Sequence, residues 1–177
     1  MTRKHTFPRK SFRAKLNLEF GTTLMEVLVS LLVLSGGMLG IASVQSVSLR
    51  NNQAALYRTQ ATMLTSEIIE RMRGNKTGVD NDAYDDVAGA ATAACFTAAG
   101  CTSDQMAAQD ILDWNAAVAA ALPGGVGVVC LDATGNDGTA AAPACDGNGN
   151  IYAVKIFWDD NRDGTANLSL ITTWRPL

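Results

Sequence analysis

Histidine is almost absent. The 177 residues contain one, His5, in a basic stretch ahead of residue 22 that is expected to be removed for the reasons given below. The remaining chain then has no imidazole, which excludes Ser-His-Asp catalysis, Cys-His catalysis and His-ligated zinc. The length is also short of a second full domain and fits one of ordinary size. Basic side chains are scarce in the C-terminal part: residues 77 to 177 hold only Lys155, Arg162 and Arg175 against 13 aspartates, net −10. Phosphate binding needs clustered Lys and Arg, so no nucleic-acid partner is expected. The four cysteines lack the paired C-x2-C spacings of a zinc cluster.

Charge is distributed unevenly. Arg3, Lys4, Arg9, Lys10, Arg13 and Lys15 all precede residue 22, opposed only by Glu19; without that stretch the chain has 8 basic and 16 acidic side chains, net −8. From Val27 to Leu49 run 23 consecutive uncharged, mostly apolar residues, and about 20 suffice to cross a bilayer core as a helix. The basic block before this run and the single Arg50 after it predict a cytoplasmic N-terminus and an exported C-terminal part. A secretory signal peptide has a shorter apolar region of about 7 to 15 residues, followed by a small-residue cleavage site and a polar chain. Here a helical pattern continues instead. Leu49, Leu56, Leu64, Ile68 and Met72 recur at multiples of roughly 3.5 residues and are expected along one helix face. A helix from Thr22 to Met72 would be about 75 Å long, with Gly74 and Asn75 as its stop.

Glu26 stands at the threshold of the apolar run, where a carboxylate costs on the order of 2.5 to 3.5 kcal/mol if it reaches the bilayer centre. It needs a partner or a headgroup interface. The nine residues from Gly21 to Val29, Gly-Thr-Thr-Leu-Met-Glu-Val-Leu-Val, closely resemble the cleavage and assembly motif G-F-T-L-I-E-V of type IV pilins and type II secretion pseudopilins, with Thr22 where the family usually has Phe. The resemblance implies a cut by prepilin peptidase after Gly21 and N-methylation of the new amine of Thr22. It also implies that Glu26 neutralises an ammonium, its own or that of an adjacent subunit. The segments Ala61 to Leu64 and Glu70 to Asn75, with Trp114 and Leu122-Pro123-Gly124-Gly125, resemble the PilV family of type IV pilus modification proteins, which are minor pilins. That resemblance implies a structural, non-enzymatic protein. Its partners would be other minor pilins, the major pilin, the prepilin peptidase, the inner-membrane assembly platform and a tip adhesin. It also implies a single-pass inner-membrane protein with a periplasmic head that enters the pilus. A minor pseudopilin of type II secretion is the alternative. Glu67, Glu70, Arg71 and Arg73 are read as local charge pairs on a solvated helix face.

The expected organisation is therefore a basic leader over 1–21, a long helix over 22–76 and a globular head over 77–177. The helix divides into a membrane and assembly half at about 22–49 and an amphipathic half at about 50–73. In the head, Ala88 to Gly100 is Ala-rich and reads as a loop or short helix. Thr102 or Ser103 can cap a helix whose apolar stripe is Ala107, Ile111, Trp114, Val118 and Leu122, ended by Pro123-Gly124-Gly125. Strands are expected at Gly127 to Leu131, Tyr152 to Trp158 and Leu168 to Arg175. A small antiparallel sheet covered by the long helix gives an α+β fold, which is also the pilin fold the resemblance implies.

Cys95, Cys101, Cys130 and Cys145 all fall in the exported head, so two disulfides are expected. Of the three possible connectivities, Cys95 with Cys101 and Cys130 with Cys145 is favoured because both close local loops. No cofactor is expected. Asp159, Asn161 and Asp163, with Gly164, match the first half of a calcium loop, but position 12 is Leu170 and the same residues suit a turn between strands. The run from Asp146 to Asn150 has the same double reading. An exported enzyme would have to work with aspartate pairs such as Asp159 and Asp160, around which there is no nucleophile or base motif.

Overall fold

The computed structural model describes residues 23–176, which fall into two compact units divided between Ser46 and Val47. In chain order the elements are helix α1 (Leu24–Gly74), helix α2 (Lys76–Asp80), a 3-10 turn (Ala93–Phe96), helix α3 (Ser103–Ala121) and strands β1 (Val126–Leu131), β2 (Tyr152–Trp158) and β3 (Leu168–Trp174). The fold is α+β: a long N-terminal helix and a small antiparallel sheet.

The first unit, as far as it is described, is the start of α1. None of its residues from Thr23 to Ser46 is buried. The remainder of α1 belongs to the second unit, where Ala61, Leu64, Thr65, Ile68 and Met72 form its buried face. The apolar stripe expected from sequence divides here. Leu64, Ile68 and Met72 are 8% exposed or less, while Leu49 and Leu56 are 63% and 54% exposed. Seven residues turn an α-helix by about 700°, so Leu49, Leu56 and Met63 stay nearly in line, whereas the eight-residue step from Leu56 to Leu64 swings about 80° onto the buried face. Helix α1 extends two residues past the expected end at Met72. The anticipated stop at Asn75 also starts α2, because the Asn75 side chain accepts a hydrogen bond from the amide of Gly78.

Helix α3 begins at Thr102, whose hydroxyl accepts from the Gln105 amide while the Gln105 side chain accepts from the Thr102 amide, a reciprocal capping box. Its expected stripe is the one that is buried: Ala107, Ile111, Trp114, Val118 and Leu122 are at most 2% exposed. Trp114 reaches furthest. Its indole N–H donates to the Leu64 carbonyl of α1 at 2.8 Å, and its ring lies where a Cβ on Gly127 would meet it at 2.6–2.7 Å. The glycine in β1 is therefore the space that admits the tryptophan between α1 and the sheet.

The sheet order is β1-β2-β3, both pairs antiparallel, with Val126 opposite Phe157 and Tyr152 opposite Trp174. The strands appear where expected, except that β1 starts one residue earlier and β3 ends at Trp174 instead of Arg175. All seven residues of β2 are buried, which requires cover on both faces. Tyr152, Val154, Ile156 and Trp158 join the core with α1 and α3. The opposite face bears Ala153, Lys155 and Phe157, and the loop after β1 covers its Lys155 part: Gly135 abuts Thr173, and Lys155 bonds to residues 132 to 144.

Gly127→Val should therefore destabilise the head by about 1–3 kcal/mol through overpacking against Trp114. The check is the urea midpoint of the full-length protein in detergent micelles, and a midpoint equal to wild type would contradict the packing described.

Candidate functional site

Two regions hold the residues of interest: the start of α1, and the polar and disulfide framework of the head. At the start of α1, Thr23 acts as the cap, its carbonyl accepting from the Glu26 amide at 2.9 Å and its hydroxyl lying 3.4 Å from the same nitrogen. Glu26 is exposed in the first turn, where a carboxylate is favoured by the helix dipole. Gly21 and Thr22, the expected cleavage and methylation positions, lie outside the described residues.

From Leu24 to Leu49, fifteen large apolar side chains are exposed, at 43% to 85%. Each would contribute about 1.5–3 kcal/mol on full burial, so this surface is incompatible with plain water and fits lipid or other apolar helices. α1 is long and apolar enough to cross a membrane, which points to membrane anchoring. Within the run, Gly36 and Gly40 have no heavy atom within 4 Å of where a Cβ would stand. This small-xxx-small spacing lets a second helix approach closely, a signal present in the sequence that the charge-based reading passed over.

In the head, disulfides join Cys95 to Cys101 and Cys130 to Cys145, with Cα separations of 4.6 and 6.0 Å. The first closes the loop carrying the 3-10 turn, so the Ala-rich stretch contains one short helical turn inside a clamped loop. The second ties the end of β1 to the segment that covers β2.

That segment is also held by a group the sequence did not reveal. The Lys155 side chain is fully buried, and its ammonium donates to the Asp132 carboxylate at 2.5 Å, to the Pro143 carbonyl at 2.7 Å and to Asp137 at 3.2 Å. Burial pushes the Asp132 carboxyl up, but the Lys155 ammonium, the Gly135 and Thr134 amides and the Thr134 hydroxyl outweigh it and hold it well below the usual carboxylate range. Alternation along a strand gave no hint of this, because the cover arrives from residues 132 to 144.

The basic and acidic residues near the end of α1 do more than pair locally. Arg71 binds Glu67 at 2.8 Å as expected, but also Asp110 of α3 at 3.2 Å. Asp110 in turn accepts from the buried Tyr84 hydroxyl at 2.7 Å, and Asn75 donates to Tyr84 and to the Ser103 carbonyl. Arg73 keeps to Glu70, its neighbour on the helix.

The calcium-like loop is organised as a turn. Asp159 accepts from the amides of Asp163 and Gly164 at 3.2 and 2.7 Å, Asn161 donates to Asp163, and Arg162, at φ 58°, reaches the Tyr57 hydroxyl of α1 at 2.8 Å. Asp146 likewise accepts from the amides of Ala133 and Asn148. Among the described residues, no group of three or more His, Cys, Asp or Glu could hold a metal ion.

The family model described as Tt1218-like, type IV pilin Tt1218, matches residues 43–112. These span the later part of α1, α2, the clamped loop and the first half of α3, and they do not include Glu26 or the sheet. The match supports a place in the type IV pilin superfamily, and the long helix with a small antiparallel sheet is consistent with that family's fold. No curated protein and no solved structure matches the chain.

Two measurements check this framework. Intact mass of the protein should show two disulfides and no free thiol, gaining four hydrogens on reduction. Asp132→Asn leaves the buried Lys155 ammonium with only the half-exposed Asp137 carboxylate opposite it and should cost up to about 3 kcal/mol. Because the folded carboxyl is held low, its contribution is complete about one unit above the unfolded value of about 3.9 and is lost progressively as pH falls from there through the folded value. The gap in urea midpoint between wild type and Asp132→Asn should therefore stay constant from neutral pH down to about pH 5 and shrink below that.

Proposed function

We propose that the protein is a minor pilin of the PilV type that primes or stabilises a type IV pilus. The observation that carries this reading is α1: one unbroken 51-residue helix that exposes an apolar, membrane-length surface over its first half and contributes a buried face to the head over its second. Such a helix suits a subunit that waits in a membrane and then exchanges lipid for neighbouring helices. The superfamily match over residues 43–112 supports the same reading.

On this reading prepilin peptidase cuts after Gly21 on the cytoplasmic side, and the amine of Thr22 becomes the methylated N-terminus. Glu26, four residues on and exposed in the first turn, pairs with that ammonium or with the one on an adjacent subunit. A pair removed from water gains strength from the low dielectric around it, and either charge alone is penalised there. It can thus set the axial register while apolar packing supplies most of the affinity. The head, outside the inner membrane, carries its disulfides in an oxidising space. Partners are other minor pilins, the major pilin, the assembly platform and a tip adhesin, and the role is structural.

Glu26→Ala should leave cleavage intact and reduce incorporation into sheared filaments roughly tenfold, the loss of about 1.4 kcal/mol of pairing. Normal incorporation would remove the pairing step. The broader test compares a deletion strain with its complemented form, using electron microscopy of surface pili and assays of major pilin and secreted exoproteins. Loss of pili with major pilin still accumulating supports the proposal. Persistent pili with failed exoprotein release would assign the chain to a type II secretion pseudopilus instead.

A further inference from the structure

The two edges of the sheet are treated differently. On β1, the Val129 carbonyl accepts from the Asp86 amide at 3.0 Å, the Leu131 amide donates to the Asp85 carboxylate at 2.7 Å, and the Leu131 carbonyl accepts from the Gly147 amide at 3.0 Å. That edge is sealed by the chain itself. On β3, no backbone hydrogen bond beyond the ladder with β2 is formed among the described residues. Its seven residues, Leu-Ser-Leu-Ile-Thr-Thr-Trp, contain no charge and no proline, and the register with β2 is unbroken by a bulge. These are the features that proteins ordinarily use to blunt an edge strand, and β3 has none of them.

The space beside this edge is also shaped. Two cavities open between β3 and α1. One, of about 420 Å³, lies at the Trp174 end, with Met72, Val79 and Trp174 in its wall and Arg73, Lys76 and Arg175 around it. The other, of about 230 Å³, lies at the Ser169 and Leu170 end against Trp158, with Arg58 and Thr62 of α1 on its far side. Leu170 and Trp174 are four residues apart, so side chains on one face of an added strand, also four apart, can fill both. Arg58, Arg73, Lys76 and Arg175 are half of the eight basic residues that follow residue 22, and they lie beside a strongly acidic head. Arg73 and Lys76 hold Glu70 and Asp80 in exposed pairs, which bind weakly and can yield to a partner carboxylate.

The geometry points to β3 as a docking edge for an extended segment of a partner protein. That segment adds as a fourth strand, places apolar side chains four residues apart in the two cavities and presents carboxylates to the flanking cations. The backbone row specifies a strand as occupant, the cavity spacing sets its apolar positions and the cations set its charge. The docking does not depend on leader cleavage or filament assembly, so its failure would leave the pilin proposal standing, and the reverse.

The test uses the full-length protein in detergent micelles and the synthetic peptide DTLTVTLTD, which carries both leucines and both carboxylates on one face when extended. Hydrogen–deuterium exchange is followed across the chain with and without peptide. Residues 168–174 should gain protection on binding. A version of the peptide N-methylated at alternate backbone nitrogens should bind at least about tenfold more weakly, since it lacks the ladder donors. Arg58→Glu and Arg175→Glu should each weaken the unmodified peptide several-fold and reduce the salt dependence of its binding. Any of four results overturns the assignment: no binding at millimolar peptide, protection only elsewhere, equal binding of the N-methylated peptide, or self-association that protects 168–174 without peptide. The last would make a second copy of this chain the occupant.

Discussion

Half of α1 is left unburied by the rest of the described residues, and much of the head's design answers to that. Fifteen exposed large apolar side chains between Leu24 and Leu49 commit the helix start to lipid or to other helices, because water would charge on the order of a kilocalorie or more for each. The same helix then supplies Ala61, Leu64, Ile68 and Met72 to the head core. Turning about its axis would carry that second set out of the head core. The head must therefore grip it at defined points.

Those grips are few and specific. Trp114 bonds the Leu64 carbonyl and fills the gap left by Gly127. Arg71 joins Asp110, which Tyr84 and Asn75 connect onward to α2 and to the start of α3. Arg162 reaches Tyr57 from the turn between β2 and β3. Behind the sheet, Lys155 and the Cys130–Cys145 disulfide hold the loop that covers the far face of β2. Without that loop, Lys155 would face water and the central strand would be amphipathic there. The loop is rich in Gly and Ala and buries little of its own, so a buried charge and a covalent tie take the place of a hydrophobic anchor.

Elements with a local period were legible in the sequence. The stripe Ala107, Ile111, Trp114, Val118 and Leu122 follows helical spacing and is the buried face of α3, and the strands lie between Gly, Asn and Asp clusters as expected. The capping box at Thr102 and Gln105 was also written in the residues, though Ser103 competed for the position. What was not legible was whatever depends on distant chain. The seven-residue step from Leu49 to Leu56 resembles the eight-residue step from Leu56 to Leu64 when only apolar spacing is read, yet the head takes up one side and leaves the other. Lys155 sits in a strand pattern that any alternation rule would place in solvent, and only the return of residues 132 to 144 buries it. The Arg71 to Asp110 pair spans 39 positions and could not be told from a local pair with Glu67.

The asymmetry of the sheet edges belongs to the same class of non-local fact, and it bears on how such a head can take part in an assembly. The β1 edge is closed by Asp85, Asp86 and Gly147, residues supplied by loops on either side of α3 and β1. Along the β3 edge, no backbone group of a segment other than β2 pairs with the strand among the described residues. A small head with one finished edge and one open edge has a directional surface: backbone groups fix the orientation of whatever docks there, and side-chain cavities fix its register. α1 supplies affinity through apolar area, which is large and unspecific. Specificity for a particular neighbour must then come from groups that distinguish direction and register, and in this fold the open edge of β3 offers both.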